Sequence, residues 1–309
     1  MAALTLVEAA KLESGDVYRQ AVIEMYAGSS DILGNLPFTS IAGNAYKYNR
    51  EQSLPGVGFR GVNEAYTASV GVVNPLTEAL VIAGGDLDVD KFITTTMGMG
   101  QRAVHEAMKL RALGLAWTAK FIKGDTASDP REFDGLQTRL TGDQKIAAGT
   151  TANGTALSLA KLDEAIDQTL NPTHLIMSKA MARKFSAAAR STSVGGYITW
   201  DKNEMGQRVL AYDGLPILTV DLDHTGTAIL PFTEAATSGT ATASSLYIVS
   251  MGEEGVQGLQ NGGMGVTDLG ELQTAPVYRT RIEWYSGLAV LNGRAATRVY
   301  SIADGAITA

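Results

Sequence analysis

Residues 44–62 place the tightest constraint on what this chain can become. Asn44-Ala-Tyr-Lys-Tyr-Asn-Arg-Glu51 alternates as a strand does, with Tyr46 and Tyr48 on one face and Lys47 on the other. Gln52-Ser-Leu-Pro-Gly56 is a turn cluster, and Val57-Gly-Phe-Arg-Gly-Val62 reads as the returning strand. An isolated two-stranded hairpin is marginal in water. This one carries Tyr46, Tyr48 and Phe59 with few apolar partners nearby. Covering such rings stabilises by several kcal/mol at ~25 cal/mol per Å2. Another part of the fold, or another chain, must therefore cover them.

The composition agrees with a chain that meets copies of itself. Of 309 residues 45% are apolar, enough for a large core, and only 18% are charged. Lys plus Arg is 25 and Asp plus Glu is 32, a net charge of −7, which argues against a nucleic-acid binder reading bases along a basic face. Cysteine is absent, so disulfides, thiolate metal sites and cysteine nucleophiles are excluded. Met1-Ala-Ala-Leu-Thr-Leu6 shows no secretory signal, and no apolar run reaches the ~18 residues of a membrane span.

Residues 1–35 read as an arm, with Val17, Ala21, Val22 and Met25 at helical spacing and Asp31-Ile-Leu-Gly34 ending it. The strongest helical stripe runs over 86–123 through Val89, Phe92, Ile93, Met97, Val104, Met108, Leu115 and Ile122. Asp86, Asp88 and Asp90 suit the start of its dipole, and Lys120 and Lys123 its end. Such a rod is ~50 Å long at ~1.5 Å per residue. Gly98, Gly100 and Gly114 lie inside it, each at a cost of ~1 kcal/mol against Ala, so Gly98 and Gly100 read as a bending point.

Residues 124–150 are a polar connection, and 149–154 a flexible linker. Residues 151–265 alternate helix and strand: a helix capped by Ser158, a strand at 173–177, a helix capped by Ser178, and a hairpin turning at Asp213-Gly214. A strand follows at 246–249, preceded by a Thr/Ala/Ser/Gly loop at 233–245, and Gly262-Gly-Met-Gly265 is a further loop. Val277–Tyr285 then alternates, with Tyr278, Thr280, Ile282 and Trp284 opposite Arg279, Arg281 and Glu283. Asn292-Gly293 is a tight turn before the last strand, 294–302. The class is α+β.

No motif carries chemistry. His105, His174 and His224 sit in different elements without metal or triad spacing. Asp221-Leu-Asp223-His224 reads as a solvated strand end rather than a cation site. Asp86-x-Asp88-x-Asp90 lacks the Gly and Glu of a calcium loop, and Thr155 stands where a P-loop requires Lys. No catalytic, cofactor-binding or metal residues are assigned, and the chain is read as a non-enzyme.

The order of elements and several local strings resemble the Hong Kong 97-type major capsid proteins of tailed bacteriophages. Leu36-Pro-Phe38, Gly43-Asn-Ala-Tyr-Lys-Tyr48 and Leu54-Pro-Gly-Val-Gly-Phe-Arg60 look like the start of an extended loop. Gly84-Gly-Asp86 and Asp88-Val-Asp90 look like the opening of a spine helix, and Phe121-Ile-Lys-Gly-Asp125 and Phe133-Asp-Gly-Leu136 like the segment leaving it. The resemblance implies an N-terminal arm at 1–35 and an extended loop at 36–85. It implies a peripheral domain at 86–150 and 266–309 containing the spine helix, and an axial domain at 151–265.

The implied function is self-assembly into hexamers and pentamers, closing an icosahedral shell around double-stranded DNA that is held without sequence-specific contact. The implied partners are scaffolding, portal and decoration proteins, with no cofactor and no membrane. The implied location is the virion, assembled in the host bacterial cytoplasm. Tyr46, Tyr48, Arg50, Glu51, Phe59 and Arg60 become inter-subunit contacts, and Gly98 and Gly100 the place where the spine bends. An encapsulin-like nanocompartment shares the implied fold and is the alternative. An α/β binding protein or enzyme built on 151–265 is the third reading.

Overall fold

A computed structural model describes residues 30–97, 100–191, 196, 198–202, 208–239 and 241–308. The expected arm helix at 17–25 and Gly98 lie outside the described residues. Asp31-Ile-Leu-Gly34 lies in a short helix, α1 (Asp31–Asn35), capped by Ser30, whose Oγ accepts from Ile32 N at 3.3 Å. Ile32 and Leu33 are buried, and the Asp31 carboxylate accepts from Thr219 N and Oγ1 at 3.1 and 2.8 Å.

Two sheets and one ribbon organise the chain. The first sheet has the order β1 (Phe38–Ser40), β12 (Val256–Glu271), β13 (Val277–Val290), β4 (Val81–Asp90). The second is mixed and eight-stranded: β5 (Lys145–Ala147), β14 (Ala296–Ala303), β11 (Ala241–Val249), β6 (His174–Ser178), β9 (Leu215–Val220), β8 (Arg208–Tyr212) and β7 (Ile198–Lys202), with β10 (Glu234–Ala235) on β11. The ribbon is β2 (Ala45–Ser53) paired with β3 (Val72–Ala79). The second sheet draws β5 and β14 from outside 151–265, while β12, which begins inside that range, belongs to the first sheet.

The helix expected from Asp86 does not begin there. Residues 81–90 are strand β4, a short helix α2 follows (Lys91–Met97), and α3 runs over Gly100–Lys123. The reason lies in the aspartates. Asp86 and Asp88 stand opposite Arg281 and Arg279 of β13, and each pair is joined by two hydrogen bonds of 2.6–3.0 Å. Leu87 and Val89, between them, turn inward. The period is two, and the cross-strand guanidiniums hold both carboxyls below their ordinary range.

Two loop expectations also fail. Ala241–Val249 is one strand throughout, with Ala243, Ser244 and Ser245 buried in the second sheet. Small residues were needed there because both faces of this strand are covered. Gly262 and Gly263 form a bulge inside β12, at φ +74° and +69°, where the pairing with β13 skips from Gln260 to Met264. The connection 124–150 holds a helical turn, α4 (Leu136–Arg139), besides β5, while 149–154 carries neither helix nor strand, as a linker should, and Thr155 just beyond it bridges to Ile302.

Other expectations hold. Ser178 caps α6 (Lys179–Ala188) through Met181 N at 3.2 Å. Asp213 and Gly214, both at positive φ, make the two-residue turn between β8 and β9. Asn292-Gly293 also turns the chain, but it joins strands of different sheets rather than a hairpin.

The second sheet is apolar on both sides. Tyr247, Val249 and Ile176 face one core with α1, α3 and the first sheet. Leu246, Ile248, Leu175 and Met177 face another with α5 (Leu159–Gln168) and α6. The first core centres on Trp117, whose ring lies 5.5–5.7 Å from those of Phe38, Phe121, Phe133 and Trp284. Gly258 is required beside it, since a Cβ there would stand 2.3 Å from the Phe38 ring. Gly258→Ala should displace Phe38 and lower unfolding stability by about 1–3 kcal/mol, as overpacking does. Urea titration checks this, and an unchanged midpoint would mean that Phe38 is not held there.

Candidate assembly interface

The ribbon leaves the body as a projecting arm. The nine residues of β2 at ~3.3 Å each reach about 30 Å. The return strand is β3, not Val57–Val62 as the alternation suggests. Residues 57–62 form no ladder because Gly56, Gly58 and Gly61 weaken strand pairing there and the chain turns back on itself. Glu64 closes that turn: its carboxylate accepts from Gly61 N at 2.8 Å and its carbonyl from Arg60 Nη1 at 3.1 Å. Asn63 stands at φ 69°. Pro75 is tolerated in β3 because a two-stranded ribbon has only edges.

The ribbon is held at its base. Tyr48 and Tyr46 stack at 5.9 Å, and Tyr48 Oη donates to Val290 O at 3.1 Å. Burial, then the charge of Glu78, push its phenol up to about 12. Glu78 accepts two hydrogen bonds from Arg139 at 2.5 and 2.7 Å, and Arg139 also donates to Asp134 O and Leu288 O. Both side chains of this pair are only 16% exposed. One guanidinium thus ties β3, α4 and β13 together. Tyr46 and Tyr48 are therefore half-covered by their own chain, rather than wet as their spacing suggests.

The tip is uncovered. Leu54, Val57, Phe59, Val62 and Val70 are all at least 78% exposed, and Tyr66 is 68% exposed. Single exposed apolar residues are ordinary, but this many on one projection mark an interaction surface. Of the residues expected at an interface, Phe59 and Arg60 sit on the tip, Arg60 over the Tyr66 ring at 5.1 Å. Arg50 and Glu51 lie on the shaft opposite Asn74 and Val73. The apolar residues beyond Phe59, the Glu78–Arg139 pair and a second exposed patch on the first sheet, Ile82 beside Tyr285, are additions from the structure. The glycines within 56–71 were the signal for a bare tip.

Gly100 is the first described residue of α3, with nothing within 4 Å of where a Cβ would lie. Val104 and Met108 remain exposed one turn apart on the same helix.

Elsewhere the chemistry is sparse. Among the described residues no group of three His, Asp or Glu side chains could hold a metal, and no helix is long and apolar enough to cross a membrane. Asp223 makes a local turn, accepting from Thr225 and Thr227 at 2.6–2.9 Å, with its carboxyl held low by the Thr225 hydroxyl. His174, at the start of β6, is pushed down to about 4 by burial. The folded imidazole stays neutral while the unfolded one protonates below its ordinary 6.5. Its contribution is therefore complete above pH 6.5 and lost as the pH falls towards 4, at a total cost of roughly 2–3 kcal/mol. His174→Leu should flatten that part of the urea midpoint's pH dependence; an equally steep fall would place the titration elsewhere.

No family model matches the chain, and no curated protein matches it in sequence. Solved structures do match. The chain is similar to the holo-SrpI encapsulin of Synechococcus elongatus PCC 7942 at TM-score 0.64 and 16% identity, over 99% of both chains. It is similar to the capsid of a native GTA particle at TM-score 0.61 and 13% identity, over 89% of this chain and 91% of that one. It is also similar to a structure of phage G gp27 major capsid proteins with gp26 decoration proteins, at TM-score 0.55 and 12% identity over 86% and 87%. The fold is the α+β Hong Kong 97-type fold of capsid and encapsulin shells.

Proposed function

We propose that this chain is the major capsid protein of a tailed bacteriophage, assembling into hexamers and pentamers that close an icosahedral shell around double-stranded DNA. The observation that carries the reading is the ribbon tip: a braced projection, apolar at its end, on a subunit with a shell-protein fold. Copies tiled side by side would bury it. Residues 1–35 are then the arm, 36–85 the extended loop, 86–150 with 266–309 the peripheral domain and 151–265 the axial domain. Tyr46, Tyr48, Arg50, Glu51, Phe59 and Arg60 contact the neighbouring subunit. The exposed charges set register more than strength, since such pairs contribute ~0–1 kcal/mol each.

Gly98 and Gly100 are the bending point of the spine in this reading, and Gly100→Ala should slow shell expansion. Scaffolding, portal and decoration proteins are the partners, the DNA is held without base-specific contact, and the particle is a virion built in the host cytoplasm. Negative-stain microscopy of the purified protein tests the reading: closed shells are expected, and a monomer at high concentration would end it.

A second reading, an encapsulin-like nanocompartment, is favoured by the likeness to the Synechococcus elongatus encapsulin over 99% of both chains. Particles from the native host separate the two. Nuclease-protected double-stranded DNA inside supports the capsid, and a co-purifying enzyme supports the compartment.

A further inference from the structure

We infer that the pocket where the end of α3, α4, β5, β10 and β14 meet is a binding site for a phosphate group. It encloses about 460 Å3, and its lining includes Lys123, Gln137, Lys145, Glu234, Arg298 and Tyr300. Three of these are cations and one is an anion, a local formal charge of +2 in a chain whose net charge is −7.

The single carboxylate is already divided between two of the cations. Glu234 Oε1 lies 3.2 Å from Lys123 Nζ, and Glu234 Oε2 lies 3.1 Å from Arg298 Nη2. The side chains of Glu234 and Arg298 are each only 8% exposed, and Arg298 is further fixed by Ser245 Oγ at 2.8 and 3.1 Å. The guanidinium is therefore rigidly placed beside the pocket with less than one full negative charge to balance it. Lys145 stands next to Arg298 in the β5–β14 register. Among the described residues it makes no ion pair, and its Nζ sits 4.7 Å from the centre of the Tyr300 ring.

Gln137 lines the same pocket. A phosphate held there would have Lys145, Lys123 and Arg298 to balance its charge and the Gln137 amide as a neutral polar neighbour. Hydrogen bonds from cations to phosphate are among the strongest available to a side chain, and a dianion matches the local charge of +2. The phosphate could belong to a small monoester or to a nucleic-acid backbone, and the inference stands apart from the shell reading.

The test is titration of the full-length protein with inorganic phosphate, against sodium chloride at equal ionic strength, by calorimetry and thermal shift. Saturable binding and a raised melting temperature are expected with phosphate alone. Lys145→Gln should weaken binding roughly tenfold, and Lys145→Arg should retain it. Equal shifts with phosphate and chloride would overturn the assignment, as would unchanged affinity in Lys145→Gln. An oligothymidylate without terminal phosphates, added in competition, separates the sources. Displacement of phosphate assigns the pocket to a nucleic-acid backbone, and no displacement assigns it to phosphate monoesters.

Discussion

Replacing Val57, Phe59 and Val62 together by serine should leave the subunit folded and abolish particles. All three side chains are almost fully solvated in the lone chain, so the folded subunit has little contact to lose. Its melting temperature should move by no more than a degree or two, as for surface substitutions generally. In an assembled shell each apolar side chain, once buried, would contribute roughly 1.5–3 kcal/mol. Three such losses at every copy of one contact come to several kcal/mol per subunit, and they repeat around the whole lattice. Size-exclusion chromatography and electron microscopy of the triple variant read the outcome. Shells in normal yield would show that the tip is not an assembly surface. A collapsed melting temperature would show that it packs within the chain.

Arg139→Met should destabilise the subunit by about 2–4 kcal/mol and loosen the ribbon. Arg139 makes its two bonds to Glu78 in a setting that leaves each side chain only 16% exposed. Removing one partner strands a carboxylate away from water, and breaking such pairs costs more than the pair contributes. Asp134 O and Leu288 O lose a donor at the same time. Glu78→Gln with Arg139→Met together should recover part of the loss, because no charge is then left stranded. Urea titration measures the stability, and amide exchange in β2 and β3 measures the ribbon. Equal stability in the single variant would mean that the pair is solvated. Arg139 lies 61 positions from Glu78, so nothing local in either segment announces the contact.

Most of the layout was legible from local pattern. Period two placed β13, helical spacing placed α3, and Asp213-Gly214 placed a hairpin turn, since each is set by neighbours a few residues apart. Errors arose where a local signal had two solutions. Asp86, Asp88 and Asp90 suit a helix start, yet they also alternate, and only the arginines of β13, some 190 positions away, decide for strand. Residues 241–245 look like a polar loop until a sheet covers both of their faces. Val57–Val62 alternates like a strand but has no partner within reach.

The residue order by itself therefore determined the class of the fold and the presence of a ribbon with aromatic residues. Tertiary structure alone decided which strand the ribbon pairs with, how Glu78 and Arg139 brace it, that its tyrosines are half-covered while its tip is bare, and that three cations converge on one pocket. The division follows from range. Propensity and periodicity act over a few residues of chain, whereas pairing, burial and charge balance depend on groups brought together from distant parts of it.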